Sequence, residues 1–309
     1  MCCTVFRPEG YTQIVLDQSN INMVFKVVYN YIQAMSKFLR RGNYLNKLAQ
    51  NSYKAIDAGI YSVAGPAYGS HNQLSLRKSI LSCAHTPLMT EIKFASPSKG
   101  SIYNQNLKTT SLTDIATTMV DAGAIALSIV TQPYLFNGSP DYLSTIRKTV
   151  AVPILMKDIV VSDVQIDSAK QVGADCILLI KSIFDNNLAE GSIEKFADYA
   201  NRKGIQVILE AHKEHEYKEI LKLVRDPKQN LIGINNRDLE SFNVDIRTTV
   251  NLLKRHSKLG NTIISESGIT KPEDIQELRR AGADAFLIGT SIMESSDMRS
   301  KITALYQST

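Results

Sequence analysis

No stretch of this 309-residue chain approaches the roughly 18 uncharged apolar residues of a membrane-spanning helix. The N-terminus lacks the basic-then-apolar order of a secretory signal. Cys2 rather than glycine follows Met1, which argues against N-myristoylation. Cysteine is scarce, and Cys2, Cys3, Cys83 and Cys176 have neither the spacing of a zinc site nor that of a disulfide framework. Cys176 sits in an apolar run and reads as a core residue. These absences point to a reducing cytoplasm. Strong charge is missing as well: the net charge is +5, with Lys and Arg spread along the chain. The one dense basic run is Lys37, Arg40 and Arg41. A nucleic-acid groove calls for a longer stripe with interleaved aromatics, so no nucleic-acid partner is expected. A mild positive balance suits a small anionic ligand. No Gly-x-Gly-x-x-Gly fingerprint occurs, which weighs against an open dinucleotide-binding sheet.

What is present is a repeat. Short apolar runs occur at 88–92, 125–130, 152–155, 176–180, 206–209, 231–234, 262–264 and 285–288. Several are rich in Val, Ile and Leu without alternation, as in strands buried on both faces. Between them lie segments with helical spacing, such as Leu112, Ile115, Ala116 and Met119, or Ile193, Phe196, Ala197 and Ala200. Ser111, Ser162 and Thr270 stand as candidate helix caps, and Gly123, Gly173 and Gly282 each follow a helix. Eight alternating units predict an α/β fold, a single (β/α)8 TIM barrel over 89–309. Residues 45–58 and 75–83 read as short amphipathic helices separated by a loop at Gly65, Pro66 and Gly69. They make 42–88 a helical segment packing on the barrel. Residues 1–41 form an N-terminal extension. Residues 1–34 have no place in the barrel, Met35 is an alternative start, and 1–34 are expected to be dispensable.

In such barrels chemistry sits at the C-terminal ends of the strands. Six polar residues fall at the ends of five predicted strands: Glu91 and Lys93, Lys157, Glu210, Asn235 and Glu266. One or two could be chance or a structural ion pair. Six in corresponding positions point to one cavity. The last two strands run into "SESGI" (265–269) and "LIGTSIM" (287–293). There Gly268 and Gly289 allow close backbone approach, while Thr290 and Ser291 could cap a short helix facing an anion. A phosphate site is expected at this place. His212 and Glu216, four apart, could pair on a metal, but no third ligand is identifiable and the stretch reads as the start of a solvated helix. No metal site is expected.

The motifs, taken in order, resemble those of the indole-3-glycerol phosphate synthase family. They are "EIKFASPSKG" (91–100), "ALSIVTQPYLFNGSPDYL" (126–143), "VPILMKDIVV" (152–161), "GADCILLI" (173–180), "VILEAH" (207–212), "IGINNRDLESFNVD" (232–245), "ISESGI" (264–269) and "GADAFLIGTSIM" (282–293). The resemblance covers about residues 42–300. It implies tryptophan biosynthesis: a lyase without cofactor that converts 1-(2-carboxyphenylamino)-1-deoxyribulose 5-phosphate to indole-3-glycerol phosphate, CO2 and water. It also implies a catalytic set of Glu91, Lys93, Lys157, Glu210, Asn235, Glu266 and Ser267. Ser96, Gly268, Gly289 and Thr290 would meet the phosphate, and Arg237 the substrate carboxylate. Association with other enzymes of the pathway is a further implication.

The sequence departs from the family pattern at four places. Met156 stands for a usual Arg, Ile159 for Phe, Gln132 for an acid and Phe94 for a basic residue. An aromatic wall beside the substrate ring would then rest on Phe136 alone. Two rival readings stay open. Phosphoribosylanthranilate isomerase would want a Cys and Asp pair near strands one and six, where Glu, Lys and Asn stand instead. A non-catalytic barrel partner would predict an eroded strand-end set.

Overall fold

Apolar runs with no polar alternation can be buried only by pairing edge to edge beneath a layer of helices. The computed structural model shows that arrangement; it describes residues 2–5, 12–15, 44–62, 73–96, 100–102 and 110–308. The expectations for Met35, for the Lys37, Arg40 and Arg41 run, and for the loop at Gly65, Pro66 and Gly69 lie outside the described residues. The chain divides into two compact units, 1–43 and 44–309. In the first, β1 (Cys2–Val5) and β2 (Thr12–Val15) pair antiparallel, Cys2 opposite Val15 and Val5 opposite Thr12.

The second unit opens with α1 (Tyr44–Asp57) and α2 (Leu76–Ser82). Helix α1 buries Leu45, Leu48, Ala49, Ser52 and Ala55, a stripe at the helical period. Ser75 caps α2 by accepting from Lys78 N. The chain then runs through β3 (Leu88–Ile92), a small hairpin of β4 (Ala95–Ser96) and β5 (Gly100–Ser101), α3 (Leu112–Asp121), β6 (Ala126–Val130), α4 (Pro133–Phe136), α5 (Pro140–Arg147) and β7 (Ile154–Lys157). Next come α6 (Asp163–Val172), β8 (Cys176–Ile180), α7 (Lys181–Asp185), α8 (Ile193–Arg202), β9 (Gln206–Ala211), α9 (Glu214–Leu223) and β10 (Asn230–Asn235). Last are α10 (Arg247–Arg255), β11 (Ile263–Glu266), α11 (Pro272–Ala281), β12 (Ala285–Ile288), α12 (Thr290–Met293) and α13 (Met298–Tyr306).

Strands β3, β6, β7, β8, β9, β10, β11 and β12 form one closed parallel barrel. Pairing of Phe286 with Leu88 and Ile288 with Thr90 closes it. This is the expected TIM barrel with an N-terminal helix. All five residues of β8 are buried, Cys176 included. Tyr217 and Phe286 are the largest fully buried side chains. Burying an apolar side chain such as that of Phe286 is worth roughly 1.5–3 kcal/mol.

Gly123, Gly173 and Gly282 all have left-handed φ at helix ends, as expected. Thr270 does not cap α11: Lys271 is the N-cap, and the Thr270 amide and hydroxyl donate to Asp274 Oδ2 at 2.8 and 2.9 Å. At the end of the barrel away from the strand C-termini, Asp175 is a hub. It accepts from Arg147 Nη1 at 2.9 Å, Leu74 N at 2.7 Å and Ile154 N at 2.9 Å. It thereby ties the segment before α2 to the barrel. Among the described residues no helix is long and apolar enough to cross a membrane.

Candidate active site

Parallel strands in a barrel bring their C-terminal ends to one rim, and alternation sends every second side chain inward. Glu91 on β3, Lys157 on β7, Glu210 on β9 and Asn235 on β10 line one cavity of about 290 Å³ at that rim. The volume is near the lower end for small-molecule sites. Lys93, Ser96, Phe136, Arg237, Ser267, Gly268, Gly289 and Thr290 line the same cavity. Glu266, fully buried at the end of β11, supports it from beneath Lys157. Residues scattered from 91 to 290 are thus brought to one place.

Charge is concentrated at its floor. Lys157 Nζ lies 2.9 Å from Glu266 Oε2 and 3.2 Å from Glu91 Oε2. Lys93 Nζ lies 2.6 Å from Glu91 Oε1. Burial by itself would lower the Lys157 ammonium's pKa. The charges of Glu266, Glu91 and Glu210 outweigh burial and raise it above the usual lysine range. Burial would likewise raise Glu91, but Lys157 and Lys93 beside it hold its carboxyl down at about 2. Glu210 differs. Burial first, then the Glu266 charge, push it up to about 8 against the pull of Lys157 and a hydrogen bond with Asn235. One oxygen of Glu210 and one of Glu266 are buried without a partner among the described residues. Unpaired acceptors this deep are costly, and they face or underlie the cavity.

Two glycines make room for these carboxylates. A Cβ on Gly289 would lie 2.6 Å from Glu91 Oε1 and 2.9 Å from Glu91 Cβ. The missing side chain is needed by Glu91, a reason the sequence did not show. A Cβ on Gly233 would strike Glu266 Oε1 and lie 2.9 Å from Ile208 Cγ2. Gly233 escaped sequence reasoning, because a glycine inside a strand names no neighbour.

The turn after β11 has consecutive left-handed residues, Ser267 at φ 69° and Gly268 at φ 82°. Asn236, fully buried, donates from Nδ2 to Ser267 O at 3.0 Å and to Ser265 Oγ at 3.0 Å. It fixes this turn beside Gly289 and Thr290. Neither Thr290 nor Ser291 caps α12: Gly289 is the N-cap, and Ser291 Oγ donates to Ile269 O at 3.0 Å. A residue already inside the first turn cannot serve as the cap that precedes it.

The aromatic wall is broader than Phe136. Tyr44 of α1 and Phe242 also line the cavity, with their rings edge to face at 4.5 Å, and Leu48 lies beside them. Their sequence neighbourhoods carry no strand-end signal. Of the four departures, only Ile159 lines the cavity. Met156 is fully buried and alternates with Lys157, so it points away from the barrel interior. Phe94 packs edge-on against Tyr142 at 5.6 Å. Gln132 caps α4, its Oε1 accepting from Leu135 N at 3.1 Å.

His212 and Glu216 do not converge. Glu216 Oε2 accepts from the backbone of His212 at 2.8 Å and Lys213 at 3.0 Å, while His212 Nδ1 turns to Asn235 O at 2.7 Å. A different trio, Asp185, His215 and Glu216, brings ligand-type atoms within 4.8 Å of one another. Asp185, however, is paired with Lys181.

The sequence profile of indole-3-glycerol phosphate synthase matches residues 53–305. A protein of that name from Methanocaldococcus jannaschii is 42% identical over 217 residues, 70% of this chain and 76% of its own length. One from Aquifex aeolicus is 39% identical over 229 residues, 74% and 84% of the two chains. One from Bacillus cereus is 35% identical over 259 residues, 84% of this chain and 96% of its own length.

Proposed function

The chain belongs to the indole-3-glycerol phosphate synthase family, and we propose that its cavity closes, decarboxylates and dehydrates 1-(2-carboxyphenylamino)-1-deoxyribulose 5-phosphate. The observation that carries this reading is Lys157 held between Glu91 and Glu266 at the floor of the cavity, with Glu210 facing it.

Ring closure forms a carbon–carbon bond as an aromatic carbon attacks the ketone, and the ketone oxygen gathers negative charge. Lys157, kept protonated by its carboxylates, donates a proton to that oxygen and stabilises the developing charge. Loss of CO2 then breaks the bond to the carboxylate and leaves its electron pair to restore the aromatic ring. Dehydration needs an acid for the departing hydroxyl and a base for a ring-side proton. Lys93 fits the acid. Glu210, with its carboxyl near about 8, fits the base, since a base titrating close to working pH transfers protons best. Glu91, Asn235 and Glu266 orient these groups. Ser267 stays with the catalytic set, Ser96, Gly268, Gly289 and Thr290 receive the phosphate, and half-buried Arg237 the substrate carboxylate. The apolar wall of Tyr44, Leu48, Phe136, Ile159 and Phe242 takes the aromatic ring.

A cytoplasmic setting, with Cys83 and Cys176 as free thiols, belongs to the same reading. So does association with other enzymes of tryptophan biosynthesis. The test is direct. Purified protein mixed with the anthranilate substrate should generate indole fluorescence and release one CO2 per indole formed. Absence of both would overturn the assignment.

A further inference from the structure

Four donors converge on one carboxylate at the cavity edge, and no step above uses it. Asp158 follows Lys157 directly, lines the cavity and is 2% exposed. Its Oδ2 accepts from Tyr61 Oη at 2.8 Å and from the Thr131 hydroxyl. Its Oδ1 accepts from Ile159 N at 2.7 Å and from Gln165 Nε2 at 3.4 Å. A carboxylate this deep is tolerated only when its oxygens are satisfied, and here every partner donates.

The donors come from separate parts of the fold. Thr131 directly follows β6, and its N–H also donates to the Lys157 carbonyl at 3.1 Å. Gln165 belongs to α6 and closes the turn after β7 by accepting from Val161 N at 2.8 Å. Tyr61 is 3% exposed and lies just beyond α1. The other end of that helix supplies Tyr44 and Leu48 to the cavity wall. Helix α1 packs mainly through its apolar stripe, and apolar contact is non-directional. A hydrogen bond to a buried carboxylate is directional and roughly twice as strong as a neutral one.

We propose that Asp158 is a positioning residue for the reaction: through Tyr61 it seats α1 against the cavity, and through Thr131 it fixes the strand end that carries Lys157. The proposal rests on the reading that substrate binds in this cavity. With the Tyr61 tie removed, α1 keeps its apolar packing but no longer holds Tyr44 and Leu48 in place before substrate arrives. Binding then carries an ordering cost, while the chemical groups on the strands are unmoved. With the Thr131 tie removed, the strand end itself loosens, and turnover suffers.

The experiment uses the full chain and steady-state kinetics with the anthranilate substrate. Tyr61→Phe should raise KM about tenfold and leave kcat within about threefold, because a charge-assisted hydrogen bond is lost and about 1.4 kcal/mol corresponds to tenfold. Thr131→Val should lower kcat, and Thr131→Ser, which keeps the hydroxyl, should restore it. In a Tyr61→Phe, Asp158→Ala double variant KM should be no higher than in Asp158→Ala alone, since both changes remove the same contact. An unchanged KM in Tyr61→Phe overturns the proposal, and so does a Thr131→Ser variant as impaired as Thr131→Val. If Asp158→Ala fails to fold, the Tyr61 and Thr131 variants decide by themselves. An inactive parent chain overturns the functional reading and this proposal together. An active parent with unchanged KM in Tyr61→Phe overturns this proposal alone.

Discussion

Lys157 and Glu210 occupy the same cavity, and both hold their protons more tightly than usual, which leaves the lysine charged and the carboxyl neutral over a wider pH range. Three carboxylates hold Lys157 charged, whereas burial and Glu266 push Glu210 up to about 8. Replacing Lys157 by Ala removes the proton donor for ring closure, and turnover should fall by about 10² to 10⁴-fold. A Lys157→Ala enzyme whose indole fluorescence rate stays close to the parent's would take Lys157 out of the mechanism. Glu210→Gln keeps the shape and removes the base. Rapid-quench measurement should then find CO2 released ahead of indole, because decarboxylation precedes the step that needs the base. If both signals slow by one factor, Glu210 serves an earlier step. In the parent, kcat/KM should climb as pH rises through about 8, the direction expected when a base must lose its proton. At Gly289 the structure changes the expected outcome. A role limited to close backbone approach to the phosphate would make a bulky residue there weaken binding alone. A Cβ there meets Glu91, so Gly289→Val should lower kcat along with raising KM. A loss confined to KM would show that Glu91 moves aside without consequence.

Elements were the most legible level, and the reason is periodicity. The run at 176–180 is apolar at every position, and the structure makes β8 of it with both faces buried. The stripe Ile193, Phe196, Ala197 and Ala200 is buried as α8. Caps were less legible, because a cap depends on the local turn. Lys271 rather than Thr270 opens α11, and Gly289 rather than Thr290 opens α12. Long-range ties between elements were not legible at all. Nothing in the sequence links Leu74, Arg147 and Ile154, yet all three donate to Asp175. The Arg147 and Asp175 side chains are 3% and 0% exposed, so removing one partner strands the other. Asp175→Ala should therefore cost about 3–5 kcal/mol in denaturant unfolding. The site lies on the opposite rim, so kcat of the surviving folded enzyme should match the parent. A variant as stable as the parent would show that water or backbone shifts replace the carboxylate.

For the molecule as a whole, the cavity that does chemistry is also a burden on stability. An unfolded Glu210 titrates near the ordinary 4.5, and in the fold it titrates near about 8. The folded protein holds that proton more tightly. The stability gained is full below 4.5 and is lost as pH rises towards about 8. Asp158, raised from 3.8 to about 6 by burial against the hydrogen bonds from Thr131, Tyr61 and Ile159, acts in the same sense. Glu91 acts oppositely: lowered from 4.5 to about 2, it adds stability above 4.5 that disappears as pH falls towards about 2. Denaturant midpoints should thus decline from about pH 5 to about pH 8, and Glu210→Gln should flatten that decline and exceed the parent at the alkaline end. Parallel curves for the two proteins would deny Glu210 this role. The sequence by itself determined the eight strands, their order and the polar residues at their ends, because apolar period and strand-end position are local properties of the chain. Only the tertiary structure decided which of those residues touch. Closing the barrel sets Glu91, Lys157 and Glu266 in contact across residues far apart in sequence. It puts Gly233 and Gly289 against carboxylates, turns Met156 out of the cavity, and brings Tyr44, Phe242 and Asp158 into it. Those relations depend on the register and curvature of all eight strands at once, and no local window of the sequence contains them.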